Sequence, residues 1–349
     1  MVEKFKLTPD FHISRIVKGG WQLSHGHSAD ATEDPIESMF AFADKGITTF
    51  DCADIYTGVE ELIGRFLAVR RQRLGYNDDI QVLTKFVPDY DALATITKGQ
   101  VEKIIDRSLR RLGKERLDMV QFSWWSYDVP KYVETAHWLK EIQQTGKIHL
   151  LSGTNFNTHA TNQMVNAGIP LTTLQIQYSL LDHRPESSLA PLCAENNIHF
   201  LCYGTVAGGF ISEKWLGLAE PTPPFENRSL VKYKLMIEEF GGWELFQSLL
   251  KVLKSIADKH NVSITNVASR YILDRQQVAA IIIGAKTSAH LGENLHLFEF
   301  KLDWSDTNEI EKVIKQRKGP VGDVFDIERI KEGPHGSIMR YNLNQQATD

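Results

Sequence analysis

The sequence predicts an α/β protein folded as a closed (β/α)8 barrel, because short apolar, β-rich runs alternate with amphipathic helical patterns eight times. The runs begin at residues 13, 46, 80, 117, 148, 173, 198 and 278. Several are apolar along most of their length, which is typical of strands buried on both faces. An open doubly wound sheet is the competing architecture. A dinucleotide-binding sheet of that kind usually carries G-x-G-x-x-G after its first strand, whereas this chain reads "KGGWQLSHGH", so a TIM barrel is favoured.

Six amphipathic segments between the runs are predicted to be helices. Three of them end at Gly46, Gly113 and Gly146, and a glycine just after the last turn is a common helix stop. The six segments are 34–46, 59–71, 99–113, 129–146, 187–197 and 263–275.

The barrel pattern covers most of the chain, so we expect a single domain over residues 1–349. Two regions depart from the alternation of strands and helices. A long loop and helical insertion, about 207–263, follows the seventh strand, at the end of the barrel where function usually lies. We interpret Trp243 in this insertion as a packing anchor. The tail, about 318–349, is polar, and we expect an irregular segment packed on the barrel through apolar anchors at Val324, Phe325, Ile338 and Tyr341.

Composition and charge exclude several classes of function. A net charge of −5 argues against a nucleic-acid or anionic lipid partner, and no run approaches the roughly 18 apolar residues of a membrane span. No secretion signal is visible at the amino terminus, so a cytoplasmic protein is expected. Cys52, Cys193 and Cys202 lack the spacing of a zinc site or a disulfide framework, and a metal is not expected at His25 and His27 either. The oligomeric state stays open.

Polar residues at the carboxyl ends of the predicted strands should point into the mouth of the barrel. Asp51 ends the second strand, and Lys85 lies in the third, where an ammonium is costly to bury without a carboxylate partner. A lysine beside a phenol lowers the phenol pKa, so Tyr56 becomes a candidate proton donor near neutral pH. A structural ion pair with Tyr56 as a rim aromatic is the alternative interpretation. Other strand ends supply Gly20, Trp21, Gln22, Asp54, Ser123, Trp124, Thr154, Asn155, Gln175, Tyr203 and Lys286.

These residues stand in motifs that resemble the aldo-keto reductases. "GITTFDCADIYTGVEELIGRFL" is similar to the family's second-strand signature, an aspartate followed five residues later by a tyrosine, and "VLTKF" is similar to its lysine strand. Further resemblance lies in "TGKIHLLSGTNF", "LQIQYSLLD", "CYGTVAGGFISEKWLG" and "IIGAKTSAHLGEN". The motifs keep the family's order from about residue 13 to about residue 317. The resemblance implies a (β/α)8 barrel that binds NADP(H) across its mouth without a Rossmann motif.

The resemblance also implies a role for each matching residue. Tyr56 would be the proton donor, and Lys85 and Asp51 would tune it. Asn155 and Gln175 would hold the carboxamide of the nicotinamide.

The same resemblance assigns the rest of the cofactor site. Lys286 lies where the family contacts the 2′-phosphate, and His290 stands in a stretch where the family often has an arginine. NADPH is therefore expected over NADH. The remaining predicted cofactor residues are Tyr203, which would stack on the nicotinamide ring, its neighbour Gly204, and Glu293 and Asn294, which would meet the adenine.

The opening of the stretch "SWWSY" departs from the family pattern. The fourth strand of this family normally ends in a histidine that orients and polarises the substrate carbonyl, and this chain has Ser123 there. A serine hydroxyl still donates a hydrogen bond but reaches less far, and a bound water can bridge the gap. We expect Ser123 to be catalytic, and Trp21 and Trp124 to bind the substrate. Because Trp124 and Trp125 point in alternate directions, the other tryptophan should pack against a helix.

The expected function is NADPH-dependent reduction of an aldehyde or ketone carbonyl in a small, aromatic or bulky organic substrate. Two alternatives stay open, because both are compatible with a missing histidine. One is altered chemistry on the same scaffold, either enone double-bond reduction or a non-redox rearrangement. The other is an NADP-binding regulatory subunit. Turnover of NADPH with a small carbonyl compound separates a regulatory subunit from an enzyme.

Overall fold

The computed structural model describes residues 2–24 and 33–344, and it confirms the predicted TIM barrel. The strands of these residues are β1 (Lys4–Thr8), β2 (Phe11–Ser14), β3 (Ile16–Gly19), β4 (Thr49–Asp51), β5 (Gln81–Phe86), β6 (Leu117–Phe122), β7 (Ile148–Thr154), β8 (Leu171–Gln177), β9 (His199–Tyr203) and β10 (Val278–Gly284). Strands β3 to β10 pair in parallel and in sequence order, and β10 returns to β3 to close the ring. Each of the eight predicted runs overlaps one of these barrel strands, and only β8 begins before its run, at Leu171.

Helices lie between successive strands of the barrel and also form the insertion and part of the tail. They are α1 (Pro35–Asp44), α2 (Val59–Leu74), α3 (Lys98–Leu112), α4 (Tyr132–Gln144), α5 (Thr158–Asn166), α6 (Leu189–Glu195), α7 (Arg228–Phe240), α8 (Trp243–His260), α9 (Ile264–Leu273), α10 (Leu291–Leu295), α11 (Trp304–Ile314) and α12 (Asp326–Arg329). All six predicted helical segments are confirmed. Helix α5, which the sequence analysis did not predict, buries little apolar surface and has a polar sequence, "THATNQMVN".

Local sequence signals set the bounds of the helices, as α3 illustrates. The Thr97 hydroxyl accepts a hydrogen bond from the backbone N of Gln100, and the Gln100 side chain accepts one from the backbone N of Thr97 at 2.8 Å. This capping box satisfies two free amide groups of the first turn. The helix ends at Gly113, whose φ of 63° lies in the left-handed region that favours glycine.

An amino-terminal hairpin, β1–β2, packs against the floor of the barrel and was not predicted as a hairpin. Its apolar side chains join one hydrophobic cluster with residues that point into the barrel from β5 and β6, Leu83 and Met119. The hairpin residues in this cluster are Leu7, Phe11 and Ile13. The barrel interior is therefore apolar and closed at this end.

A polar layer lies one pleat above this apolar floor. Alternate residues of a strand point to the same face, so Leu83 and Lys85 share the interior of β5, as Met119 and Gln121 share the interior of β6. Lys85 and Gln121 are paired in the strand register, which places them at the same height. The barrel interior is therefore apolar at the floor, and the charged and amide groups lie in the layer nearest the carboxyl ends of the strands.

The interpretation of Trp243 as a packing anchor of the insertion is confirmed. Trp243 is 9% exposed, packs against Phe210 and Phe246, and donates from its indole Nε1 to the backbone O of Leu218 at 2.9 Å. All three cysteines are buried and free. No helix of the described residues is long and apolar enough to cross a membrane.

The tail is anchored at the carboxyl end of the barrel by a buried cluster of charges. The guanidinium of Arg184 donates to the Asp182 carboxylate at 2.7 and 2.9 Å, and to the Glu328 carboxylate of α12 at 3.0 and 3.1 Å. Each of the three side chains is at most 2% exposed. Burial alone would raise the pKa of Glu328, but the charge of Arg184 outweighs it and the pKa is lowered. The tail is mostly irregular, as predicted, and its anchors Val324 and Phe325 are buried.

Replacement of Glu328 by alanine should destabilise the protein, because it leaves part of the buried Arg184 charge without a partner. Removing one member of a buried ion pair typically lowers the free energy of unfolding by about 3–5 kcal/mol. Urea denaturation followed by tryptophan fluorescence measures the change. Glu332→Ala, at an exposed site four residues further along the tail, is the matched control and should change the free energy of unfolding by less than about 0.5 kcal/mol. Equal effects of the two substitutions would contradict this role of the cluster.

Candidate active site

Asp51 and Lys85 form a buried ion pair at the carboxyl ends of β4 and β5. The Nζ of Lys85 lies 2.6 Å from Oδ2 of Asp51 and donates to the backbone O of Cys52 at 2.8 Å. Burial opposes the charged form of Lys85, but the attraction of Asp51 and of Tyr56 outweighs it, so the pKa of Lys85 is raised. Lys85 is therefore a permanent positive charge inside the barrel, and the predicted pairing is present.

Two glutamine side chains complete the environment of the Asp51 carboxylate. Oδ1 of Asp51 accepts from Nε2 of Gln121 at 2.8 Å and from Nε2 of Gln175 at 2.6 Å, and Gln175 also donates to Oε1 of Gln121 at 2.8 Å. A buried carboxylate with an ion pair on one oxygen and two amide donors on the other is well compensated for its lost hydration. The amides thus help to fix the position of Lys85.

Tyr56 lies beside this pair. The Nζ of Lys85 is 5.1 Å from the centre of the Tyr56 ring, and the ring centres of Trp21 and Tyr56 are 5.0 Å apart. The expected effect of Lys85 is present, because its charge lowers the pKa of Tyr56. Burial raises the pKa of Tyr56 and the charge of Lys85 opposes this only in part, so the pKa stays above its ordinary value. Tyr56 is accordingly a protonated hydroxyl at neutral pH.

Ser123 follows β6 and faces the same space. Its backbone N donates to the backbone O of Phe86 at 3.0 Å, whereas its hydroxyl makes no hydrogen bond to any residue that the structure describes. Trp124 is a correction to the sequence analysis, because it does not line this space. It is 1% exposed, packs on Phe122, and donates from its indole Nε1 to the backbone O of Val129 at 3.0 Å.

Trp125 takes the place predicted for Trp124. It borders the cavity and donates from Nε1 to the backbone O of Pro88 at 2.8 Å. The predicted alternation of the two tryptophans holds, but their directions are reversed. Trp125 is in phase with the inward-facing Met119 and Gln121, so the alternation of β6, continued past its end at Phe122, gives the observed directions.

A cavity of about 540 Å³ opens above the polar layer and is lined by residues of the barrel, the insertion and the tail. Its floor carries the predicted polar groups, Asp51, Tyr56, Lys85, Ser123 and Gln175. Its walls include the apolar side chains of Trp21, Ile55, Val87, Trp125, Phe325 and Leu343, and also three basic side chains, Arg228, Lys232 and Arg340. Asn155, Tyr203 and Gly204 also border it, so the structure brings these three predicted residues to the same cavity.

Comparison with known proteins identifies the family. The sequence profile described as the aldo/keto reductase family matches residues 15–315, which is most of the chain. The chain belongs to the aldo/keto reductase family. It is therefore an NAD(P)-dependent oxidoreductase that acts on carbonyl groups.

Individual aldo/keto reductases are distant relatives of the chain. An aldo-keto reductase of Bacillus subtilis is 26% identical over 320 residues, covering 89% of this chain and 93% of that protein. An NADH-specific methylglyoxal reductase of Escherichia coli is 23% identical over 316 residues, covering 86% and 94%. Among solved structures, the glycerol dehydrogenase of Gluconobacter oxydans has a TM-score of 0.76 at 22% identity, over 91% of this chain and 97% of that chain. That likeness shows the shared barrel.

The residues at the cavity fit the nicotinamide end of the cofactor that this family uses. Oδ1 of Asn155 accepts from the Tyr203 hydroxyl at 2.8 Å, and Nε2 of Gln175 is committed to Asp51 and Gln121. Nδ2 of Asn155 and Oε1 of Gln175 make no hydrogen bond to a described residue. A carboxamide offers one carbonyl acceptor and one amino donor, so one free donor and one free acceptor are its complement.

The residues predicted to contact the adenosine half lie outside the cavity, on the loop after β10 and on α10. Lys286 is half-buried and makes no hydrogen bond or ion pair within the described part of the chain. His290 and Glu293 are exposed, with Nδ1 of His290 at 3.6 Å from the Glu293 carboxylate, and Asn294 is half-buried. His25 and His27 lie outside the described residues, and the described residues contain no cluster that could hold a metal ion.

Sequence reasoning missed Gln121 and the contribution of the tail. The alternation of β6 carried the signal for Gln121, because it stands two residues after the inward-facing Met119. Arg329 of the tail donates to the backbone O of Trp124 at 3.1 Å and of Asn155 at 2.7 Å, and Asn155 has a left-handed φ of 59°. The tail therefore holds a backbone conformation that an asparagine adopts at some energetic cost. No periodic pattern in the sequence predicts the contact between Arg329 and the backbone of Asn155.

Asp54, after β4, gives a pH-dependent prediction. Burial raises the pKa of its carboxyl to about 7, against hydrogen bonds from Asn344 and the backbone N of Val87 that lower it. Between about pH 4 and pH 7 the folded state then binds a proton at Asp54 that the unfolded state has released, so stability from this group falls as pH rises. Asparagine does not titrate. The melting temperature of the wild type minus that of Asp54→Asn should therefore fall from pH 4 to pH 7.5, and a difference that stays constant or rises would contradict it.

Proposed function

We propose that the protein is an NADP(H)-dependent carbonyl reductase in which Tyr56 donates the proton to the substrate oxygen. The observation that carries the proposal is the cluster of Tyr56, Lys85 and Asp51 at the floor of the 540 Å³ cavity, with the unbonded hydroxyl of Ser123 facing the same space. A structural ion pair needs no cavity above it, whereas a proton donor does. The alternative interpretation of Tyr56 as a rim aromatic is therefore the weaker one.

The side chains support a simple sequence of proton movements. Asn155 and Gln175 would hold the carboxamide of a reduced nicotinamide, which would supply the hydride to the carbonyl carbon. Tyr56, protonated because burial raises its pKa, gives its proton to the oxygen as negative charge develops there. The ammonium of Lys85 then stabilises the tyrosinate that remains, and Asp51 keeps Lys85 charged and in position. Tyr56 regains its proton from solvent before the next turnover.

Ser123 takes the second position beside the substrate oxygen. Its hydroxyl donates to the carbonyl directly or through a water, in place of the longer histidine of the family pattern. The loss of one such donor typically lowers the rate by about 10²–10³-fold, which leaves substantial catalysis by the other groups. The smaller side chain also leaves room beside the floor of the cavity.

The walls of the cavity support an aromatic or otherwise bulky aldehyde or ketone. Trp21 and Trp125 border it, together with aliphatic side chains of the barrel and of the tail. These apolar side chains can contact an apolar body while the polar groups of the floor orient its carbonyl. The preference for NADPH rests on Lys286 and on the resemblance of its loop, while one relative, from Escherichia coli, is NADH-specific.

The test compares the turnover of aromatic aldehydes, quinones and enones by the wild type and by variants. The absorbance of NADPH or NADH monitors each reaction. Tyr56→Phe should lower kcat for aldehydes by at least about 10²-fold, because general acid catalysis contributes about 10²–10⁴. The dissociation constant of NADPH for Tyr56→Phe should stay near that for the wild type. Tyr76→Phe, at an exposed tyrosine, is the matched control and should leave kcat unchanged.

Ser123→His separates the proposal from its alternatives. A gain in aldehyde reduction would show that the serine is a weaker substitute in the same reaction. Consumption of enones but not of aldehydes by the wild type would overturn carbonyl reduction in favour of double-bond reduction. NADPH binding without turnover of any panel compound, in both proteins, would favour a regulatory role.

A further inference from the structure

The carboxylate of Glu33 occupies a two-donor site on the loop after β10. It accepts a hydrogen bond from the backbone N of Ser288 at 2.7 Å and another from the Ser288 hydroxyl at 2.8 Å. Glu33 belongs to the segment just before α1, and 255 positions of sequence separate it from Ser288. We call these two donors the Ser288 site. Paired amide and hydroxyl donors at these distances bind a compact anion well.

The surroundings of the Ser288 site add positive charge. Lys18 of β3 is 1% exposed and donates from Nζ to the backbone O of Ala285 at 3.2 Å, on the same loop. Burial lowers the pKa of Lys18 to about 8, and the negative charge of Glu33 opposes that shift. Lys286, next along the loop, has no ion-pair partner in the described residues. The loop thus offers an anion two hydrogen bonds from Ser288 and the ammonium of Lys286 two residues earlier, and the charge of Lys18 on β3 lies against the start of the loop.

We propose that Glu33 is a built-in competitor for the 2′-phosphate of NADP(H), so that it sets how strongly the protein discriminates between NADPH and NADH. This rests on the proposed function, which directs the adenosine half of the cofactor to the loop of Lys286. A 2′-phosphate carries more negative charge than a carboxylate and needs the same donors, so it must displace Glu33 and lie near its charge. The 2′-hydroxyl of NADH carries no charge and can donate to a carboxylate.

The alternative is that Glu33 only ties the segment before α1 to the loop after β10. In that case the contact stabilises the fold and is indifferent to the phosphate. The two roles differ in a ratio of affinities, which a general loss of stability does not change. Binding measurements therefore decide between them without any dependence on turnover.

The experiment measures dissociation constants of NADPH and NADH for the full chain by calorimetry. Glu33→Gln keeps the shape of the side chain and removes its charge. We expect this substitution to lower the dissociation constant of NADPH by about tenfold, equivalent to about 1.4 kcal/mol. The dissociation constant of NADH should change by less than about twofold. Glu37→Gln is the matched control, because Glu37 lies in α1 on an exposed ion pair with Arg73. It should leave both constants unchanged.

Ser288→Ala is the second variant and acts in the opposite direction. It removes the hydroxyl donor, so it should weaken the binding of NADPH more than the binding of NADH. An unchanged ratio of the two constants in Glu33→Gln, or a ratio shifted towards NADH, overturns the role of Glu33 alone. If the folded wild type and both variants bind neither dinucleotide, the cofactor assignment itself fails and this proposal fails with it.

Discussion

The buried ion pair between Lys85 and Asp51 is the interaction on which the rest of the site depends. An ammonium inside a barrel is stable only beside a carboxylate, and the carboxylate in turn needs donors for its second oxygen. Gln121 and Gln175 supply those donors from β6 and β8. One charge thus brings together side chains of four strands, and the cavity lies directly above them. The apolar floor built by the hairpin keeps water from reaching the pair from below.

Much of the fold and part of the site were predictable because strand ends and pleats are simple geometry. The apolar runs located all eight barrel strands, and the cost of burying Lys85 predicted its pairing with Asp51. Gln121 carried a usable signal, since it is in phase with Met119. The same phase gives Trp125 the inward direction, so the assignment of the cavity to Trp124 did not use a signal that the sequence contains. Helix α5 was not predicted, because it buries too little apolar surface to show a clear helical period.

The upper half of the cavity depends on long-range contacts that no local pattern encodes. Arg184 links Asp182, after β8, to Glu328 in the tail, and Arg329 then reaches the backbone of Asn155. The tail therefore shapes both the walls of the cavity and the asparagine proposed to meet the nicotinamide. Carboxylates have two different uses in this molecule. Asp51 and Glu328 are fixed by buried partners. Glu33, in contrast, accepts hydrogen bonds from Ser288, and we propose that the 2′-phosphate of NADP(H) competes for the same donors.

The most direct test of the central account is the titration of Tyr56 itself. Tyrosine labelled with ¹³C at Cζ reports ionisation by its chemical shift, and Tyr56→Phe assigns the signal. The account predicts a pKa for Tyr56 above its ordinary value of 10.0 in the wild type, and a higher one still in Lys85→Met, because the neighbouring positive charge is removed. A wild-type pKa below 10.0, or one that Lys85→Met leaves unchanged or lowers, would contradict the claim that burial keeps Tyr56 protonated while Lys85 stabilises its anion.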